Sequence, residues 1–312
     1  MTKLKGLLLT EGMHGMISQV EGLAKALDLD YFHEKIELNN FWKSLPPKLT
    51  PVNKFVFKNK ITKDFDVIIS CGRKSIIPSI YLKRNSSKKI INIHIQNPKV
   101  SLGNFDYVII PEHDEIVGKN VITTKGAIHY LTIDEIKVNE DYLKNKVDKN
   151  KNILTLILGG PTKHYKYTDQ NISEIFSKVI SACRSNSSQI IVIPSIRTPK
   201  STIELAKKTF GSQNLVIDSV DKKAYLSSLA LSNYIVVTCD SSSMISEAAI
   251  TGKPIYIAQI EPSKNDYRFK KFRELFKSLN IVKDLNDKLE NWSYGSLDET
   301  NRVAKEIKKK II

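Results

Sequence analysis

The chain has 312 residues, 41% hydrophobic and 26% charged, with 48 Lys and Arg against 33 Asp and Glu. That composition excludes a disordered chain and leaves room for two domains. No apolar run reaches the roughly 20 residues that a membrane-spanning helix needs.

The net charge of +15 is spread over both halves, which suits anionic partners without prescribing one. No zinc-finger spacing or RNP-like aromatic motif accompanies it, so nucleic acid is not an expected partner. Cys71, Cys183 and Cys239 lie far apart and form no C-x-x-C pair. Neither a metal site nor a disulfide framework is expected of them, and they read as small buried hydrophobes.

Leu4 to Thr10 reads as a first buried strand, and its Leu7-Leu8-Leu9 run is too short for a signal-peptide core. A cytoplasmic protein is expected. The turn Glu11-Gly12-Met13-His14-Gly15 follows, then a helix with Ile17, Val20, Leu23, Ala24 and Leu27 on one face. Gly12 and Gly15 suit a sharp turn or close backbone approach to a ligand. The spacing is not G-x-G-x-x-G, so the dinucleotide signal is weak. Glu11 and His14 are candidate general bases, although either alone also fits a solvated loop.

Tyr31 to Leu38 reads as a second strand, and residues 39–63, with Trp42, Pro46, Pro47 and Pro51, as an irregular insert. The strand Asp66–Ser70 ends in Cys71-Gly72-Arg73-Lys74 ahead of a helix over Ser75–Arg84. Gly72 and Arg73 there are a candidate anion contact. Strands follow at Ile90–Ile95, Asp106–Ile110 and Asn120–Thr124, with the polar loop Glu112-His113-Asp114 between the last two. Repeated strand, turn and helix predict a parallel sheet covered on both faces. Residues 137–152 are charged and Asn-rich, and mark the expected boundary. The resulting expectation is a domain over 1–145, a second over 150–295, and a final helix, 296–312, packing back on the first.

The rhythm restarts at Ile153–Leu158, followed by Gly159-Gly160-Pro161, a candidate phosphate cradle without the Gly-Lys-Ser/Thr end of a P-loop. A helix is expected over Asp169–Arg184, then a strand over Gln189–Ile193 running into Ser195-Ile196-Arg197-Thr198-Pro199. Arg197 is placed to clamp a diphosphate in bidentate fashion. After Leu215–Asp218 and a helix over Ala224–Leu231, the strand Tyr234–Val237 leads into Asp240-Ser241-Ser242-Ser243 and a helix over Met244–Thr251. Such a turn presents backbone N–H groups and the positive helix end to an anion. Asp and Ser are also ordinary helix caps, but three serines in a row followed by Glu247 exceed what capping needs. A strand at Ile255–Ala258 and helices near 266–279 and 297–311 complete the chain. The last helix is basic and amphipathic, with Val303, Ile307, Ile311 and Ile312 at helical spacing.

Leu158-Gly159-Gly160-Pro161 with Lys163-His164-Tyr165, Ser195 with Arg197-Thr198-Pro199, and Thr238 to Pro254 resemble the "elongated mitochondria" fission-factor family of plants and its proteobacterial homologues. In the first half, Gly12-x-x-Gly15, Gly72-Arg73, Phe105-Asp106 and Pro111-x-His113-Asp114 carry the same likeness. Ile196 stands where that family commonly has Arg, and Asp240–Ser243 where related folds have a Gly-rich turn. The resemblance, close to glycosyltransferases of GT-B type, implies two Rossmann-like doubly wound parallel-sheet domains facing a cleft.

It also implies a nucleoside-diphosphate sugar as co-substrate, without a cofactor or metal. Glu247 would hold the ribose. Asp240, Ser241, Ser242, Ser243 and Met244 would hold the diphosphate with Gly159, Gly160, Ser195, Arg197 and Thr198. Glu11 or His14 would deprotonate the acceptor. Gly12, Gly15, Gly72 and Arg73 would contact that acceptor, envelope or lipid-linked, at an anionic membrane surface that the basic last helix suits. Two alternatives stand beside this: a sugar-nucleotide 2-epimerase using Glu11, Glu112 and Asp114, and a non-catalytic recruitment module.

Overall fold

The computed structural model describes residues 3–311. It divides into two compact units, one comprising the residues up to 130 and from 298 onward, the other 131–297. Each is a six-stranded, wholly parallel sheet with helices on its faces.

In the first unit the elements run β1 (Lys5–Thr10), α1 (His14–Ala26), β2 (Asp30–Lys35), α2 (Asn40–Ser44), β3 (Val67–Cys71), α3 (Ile76–Arg84), β4 (Ile91–Ile95), β5 (Tyr107–Pro111) and β6 (Val121–Thr124). Their order in the sheet is β2-β1-β3-β4-β5-β6. Val67–Cys71 is buried throughout, as a strand covered on both faces must be. Alternate side chains then supply two cores. Leu8, Ile69 and Ile93 pack under α1, while Leu7, Ile68 and Val108 pack under α3.

The second unit begins with two short helices, α4 (Ile133–Val138) and α5 (Asp141–Lys144). It continues with β7 (Asn152–Leu158), α6 (Asp169–Ser185), β8 (Ser188–Pro194), α7 (Lys200–Phe210), β9 (Leu215–Val216), α8 (Lys222–Leu231), β10 (Tyr234–Thr238), α9 (Ser242–Ala249), β11 (Ile255–Ala258), α10 (Tyr267–Ser278) and β12 (Val282–Asp284). The sheet order is β9-β8-β7-β10-β11-β12. Numbered within the unit, this is 3-2-1-4-5-6, the dinucleotide-binding arrangement.

The chain then returns to the first unit as α11 (Glu299–Ile311). Val303, Ala304 and Ile307 enter the core beneath α1, and Glu299 accepts from the Lys125 main-chain N–H at 2.8 Å.

The boundary differs from the expected one. Residues 131–145 belong to the second unit, and the crossing lies at 130/131. The charged stretch conceals two anchors: Leu143 is buried with Ile153, Ile191 and Ala224, and its N–H donates to Ser227 Oγ at 3.0 Å. Ser227 Oγ in turn donates to the Glu140 carbonyl at 2.7 Å. The three cysteines are buried and unpaired. Among the described residues no helix is long and apolar enough to cross a membrane.

Candidate functional site

In a doubly wound sheet, ligands bind at the carboxyl ends of the strands where the strand order reverses. In the second unit that point lies between β7 and β10. The loop after β7 carries Gly159 and Gly160, the loop after β10 carries Asp240 and Ser241, and the loop after β8 supplies Ser195–Thr198.

Asp240 is the hub, its side chain wholly buried. Oδ2 accepts from the Gly160 N–H at 3.1 Å and from Arg197 Nη2 at 2.8 Å. Oδ1 accepts from the Tyr167 hydroxyl at 2.7 Å and lies 2.7 Å from Thr238 Oγ1. Thr238 Oγ1 also receives the Gly159 N–H at 2.8 Å. Burial and the Asp240 charge push the Tyr167 phenol far above its ordinary range, so it stays protonated and serves as a donor.

Arg197 Nη1 donates to the Gly160 carbonyl at 2.8 Å. The guanidinium expected to clamp a diphosphate is therefore held by the protein's own carboxylate and carbonyl. Its side chain is 36% exposed, so it has an open side. Ser195 Oγ and Thr198 Oγ1 lie 3.0 and 2.6 Å from the Gly159 carbonyl. They tie the β8 loop to the Gly-Gly turn.

The two glycines are demanded by close approach rather than by backbone angle. A Cβ at Gly159 would lie 2.2 Å from Asp240 Oδ2, and one at Gly160 only 2.1 Å from the Arg197 carbonyl oxygen. Gly160→Ala must push apart two main-chain segments. It is expected to cost roughly 1–3 kcal/mol, measured by urea unfolding, and a loss near zero would show that the loop yields freely.

Ser241 is the cap of α9, its Oγ accepting from the Met244 N–H at 3.4 Å. Ser242, Ser243 and Met244 form the first turn and are half-buried. Glu247 follows one turn further on. Tyr225 on α8 donates to its Oε2 at 2.9 Å, and burial of the carboxyl pushes its pKa up to about 7. A carboxyl so displaced is a mark of functional sites. Lys253 is displaced downward, to about 8, also by burial. Its ammonium, however, caps α8 through the carbonyls of Leu229 and Ala230 at 2.8 and 2.5 Å.

Behind the turn, Arg273 on α10 donates to the Cys239 carbonyl, to Asp266 and to the Tyr165 hydroxyl at 3.4, 2.9 and 2.9 Å. This buried group braces the approach to Asp240. Tyr167 and Arg273 carry no signal in the sequence, because a lone Tyr or Arg beside a turn has no distinguishing pattern, and Thr238 stands there only as the first residue of the Thr238–Pro254 stretch.

In the first unit the strand order reverses between β1 and β3. Glu11 after β1 and Lys74 after β3 meet there: the Lys74 N–H reaches Oε1 at 3.1 Å and its ammonium Oε2 at 3.0 Å. Gly12 and Gly72 both have positive φ, +86° and +95°. A side chain at Gly72 would also strike Met16 Sδ at 2.7 Å. Arg73 turns to the carbonyls of Lys43 and Leu45, at 2.5 and 3.0 Å, at the end of α2. His14 and Gly15 open α1 and are exposed. Glu112, His113 and Asp114 form a single 3-10 turn after β5. No group of three or more His, Cys, Asp and Glu among the described residues is arranged to hold a metal ion.

The profile of the mitochondrial fission ELM1 family matches residues 14–311. The chain belongs to that family. Among relatives of this ELM1-family chain, uncharacterized protein RP120 of Rickettsia prowazekii is 27% identical, over 94% of this chain and 92% of that one. Mitochondrial fission protein ELM1 of Arabidopsis thaliana is 24% identical over 78% of the chain, a match spanning 64% of the plant protein.

Among solved structures, the S. aureus MnaA–UDP co-structure superposes with a TM-score of 0.53 at 14% identity, covering 97% of this chain and 88% of that one. UDP-GlcNAc 2-epimerase from Neisseria meningitidis, bound to UDP-GlcNAc, gives 0.53 at 12%, covering 98% and 100%. At such identities the likeness is one of fold, the GT-B-like pairing of two Rossmann-type sheets in one chain.

Proposed function

We propose that the second unit binds a nucleoside-diphosphate sugar at the carboxyl ends of β7 and β10, and that the protein is a metal-independent glycosyltransferase. The acceptor is a hydroxyl of an envelope or lipid-linked molecule. The observation that carries the reading is the start of α9. A capped helix N-terminus with Ser242 and Ser243 in its first turn stands at the reversal of a 3-2-1-4-5-6 sheet, with a displaced carboxyl, Glu247, one turn on.

Glu247 accepts from the ribose hydroxyls. The α9 N–H groups and serine hydroxyls hold the diphosphate and stabilise it as a leaving group. Arg197 joins them by turning from Asp240 toward the open side. The two nucleotide-bound solved structures support trying UDP compounds first. In the first unit, His14 is the more available base, because Glu11 must first leave Lys74. The 2-epimerase alternative relies on Glu11, Glu112 and Asp114, of which the last two share the single 3-10 turn after β5.

A second reading, nucleotide binding without transfer, is favoured by the same two closed pairs, Arg197 with Asp240 and Glu11 with Lys74. Thermal unfolding with UDP, GDP, ADP, CMP and UDP-sugars, with Glu247→Ala as control, tests the site. A ligand at about 100 times its Kd is expected to add roughly 2.7 kcal/mol, lost in the variant. No shift with any nucleotide would overturn both readings. A shift without sugar-nucleotide turnover in the presence of acceptor lipids would leave only the second.

A further inference from the structure

We propose that the segment 39–63 of the first unit is a docking surface for an anionic lipid bilayer, independent of the nucleotide site. The segment, which the sequence marks only as an irregular insert, holds α2 and two 3-10 turns, Pro47–Leu49 and Lys54–Val56. It presents large apolar side chains to solvent: Phe41 is 68% exposed, Leu49 67% and Phe55 54%. Phe41, half-buried Trp42 and Phe55 form one cluster, with ring centroids 4.8 and 5.6 Å apart. The turn that carries Phe55 is fastened to α2 by Asn39, whose side chain donates to the Phe55 carbonyl. The cluster is therefore a built face rather than a stray side chain.

The charge around it has one sign. Lys43, Lys48, Lys54, Lys58, Lys60 and Lys63 are all exposed, and no Asp or Glu occurs between residues 39 and 63. None of the six stands in an ion pair among the described residues. Of the acids that flank the segment, Asp64 is held by Lys88 at 2.7 Å, and Glu37 stays exposed.

Exposed aromatics ringed by lysines match the headgroup boundary of an anionic membrane. The rings take the acyl edge, and the ammonium groups take the phosphates. An acidic protein would satisfy the lysines but not call for three bare apolar side chains. The same segment walls an open groove of about 470 Å³ that combines Val52, Ile77 and Ile80 with Lys48 and Lys99. That groove repeats the pairing of apolar floor and basic rim.

This relocates the membrane contact that the sequence suggests for the last helix. The apolar stripe of α11, Val303, Ala304 and Ile307, is buried in the core of the first unit. It is not available to lipid.

The test is co-sedimentation of the full chain with phosphatidylserine-rich vesicles and with phosphatidylcholine vesicles, as a function of salt. Binding is expected to the first only, weakening as salt rises. Each lysine near the surface contributes about fivefold, so Lys43→Gln/Lys48→Gln/Lys58→Gln is expected to lose at least tenfold. Phe41→Ser/Phe55→Ser is expected to lose a comparable factor with the lysines intact.

Trp42 and Trp292 are the only tryptophans. In a Trp292→Phe background, brominated lipid is expected to quench Trp42, which needs no change in the patch itself. Three results would overturn the proposal: no binding to anionic vesicles, binding abolished only by Lys308→Gln/Lys309→Gln/Lys310→Gln, or binding without Trp42 quenching and indifferent to the phenylalanines. The last would mean a purely electrostatic contact with the vesicle that does not use the aromatic face.

Discussion

Asp240→Ala is expected to remove about 2–6 kcal/mol of stability from the second unit, because it leaves two buried donors without an acceptor. The loss has little to do with attraction to Arg197. That guanidinium is 36% exposed and can turn to water. The Tyr167 hydroxyl can turn to Thr238 Oγ1 at 2.9 Å, but the Gly160 N–H and the Thr238 hydroxyl have no such escape. Each would lose the acceptor it holds at 3.1 or 2.7 Å, and an orphaned buried donor costs roughly 1–3 kcal/mol.

Two consequences separate this account from a simple ion pair. Arg197→Ala should cost far less than Asp240→Ala, because Asp240 keeps its other donors. Asp240→Asn should rescue part of the loss, which a simple ion pair would not allow. Its oxygen can face the Gly160 N–H and Arg197, and its NH₂ then meets the Tyr167 hydroxyl, whose oxygen can accept while its O–H donates to Thr238 Oγ1. Urea unfolding followed by Trp292 emission in a Trp42→Phe background reports the second unit alone. Equal losses for Arg197→Ala and Asp240→Ala would reject the hub.

The strands were readable because each doubly covered strand is a continuous apolar run, and Ile153–Leu158 or Val67–Cys71 has no other stable place. The same logic failed where burial rests on single residues. α4 and α5 bury only Ile136 and Leu143, so their charged sequence has the composition of a linker although it belongs to the second unit.

At the site, the turns were visible by their residue types, Gly-Gly after β7 and Asp-Ser-Ser-Ser after β10. The partnerships were not. Asp240 looks like a helix cap in the sequence, but Ser241 takes that role while Asp240 turns inward to bind three loops. Arg197 looks like a free clamp until the fold brings it to Asp240 across 43 positions of chain. Contacts over such separations follow from strand order, which no local pattern encodes.

Glu247→Gln is expected to stabilise the protein at alkaline pH and to weaken nucleotide binding, opposite effects from one atom exchange. The folded carboxyl holds its proton up to about pH 7, whereas an ordinary one releases it near 4.5. Between those values the unfolded chain is the more readily ionised, so rising pH favours unfolding by about 1.4 kcal/mol per unit. Below pH 4.5 the group contributes no difference, and above pH 7 the full penalty of about 3 kcal/mol is present.

Glutamine never ionises and keeps an oxygen for the Tyr225 hydroxyl. The variant should therefore match the parent near pH 4 and exceed it by up to about 3 kcal/mol at pH 8. Ligand binding runs the other way. A ribose brings hydroxyl donors that favour the ionised carboxylate, so affinity for the nucleotide should rise from pH 6 to pH 8 in the parent and stay flat and weak in the variant. Denaturant melts at pH 4.5, 6 and 8 with parallel titrations of nucleotide decide it. Parallel stability profiles for the two proteins would show that Glu247 is not held in a charge-disfavouring site, and a pH-independent affinity in the parent would show that it does not touch the ligand.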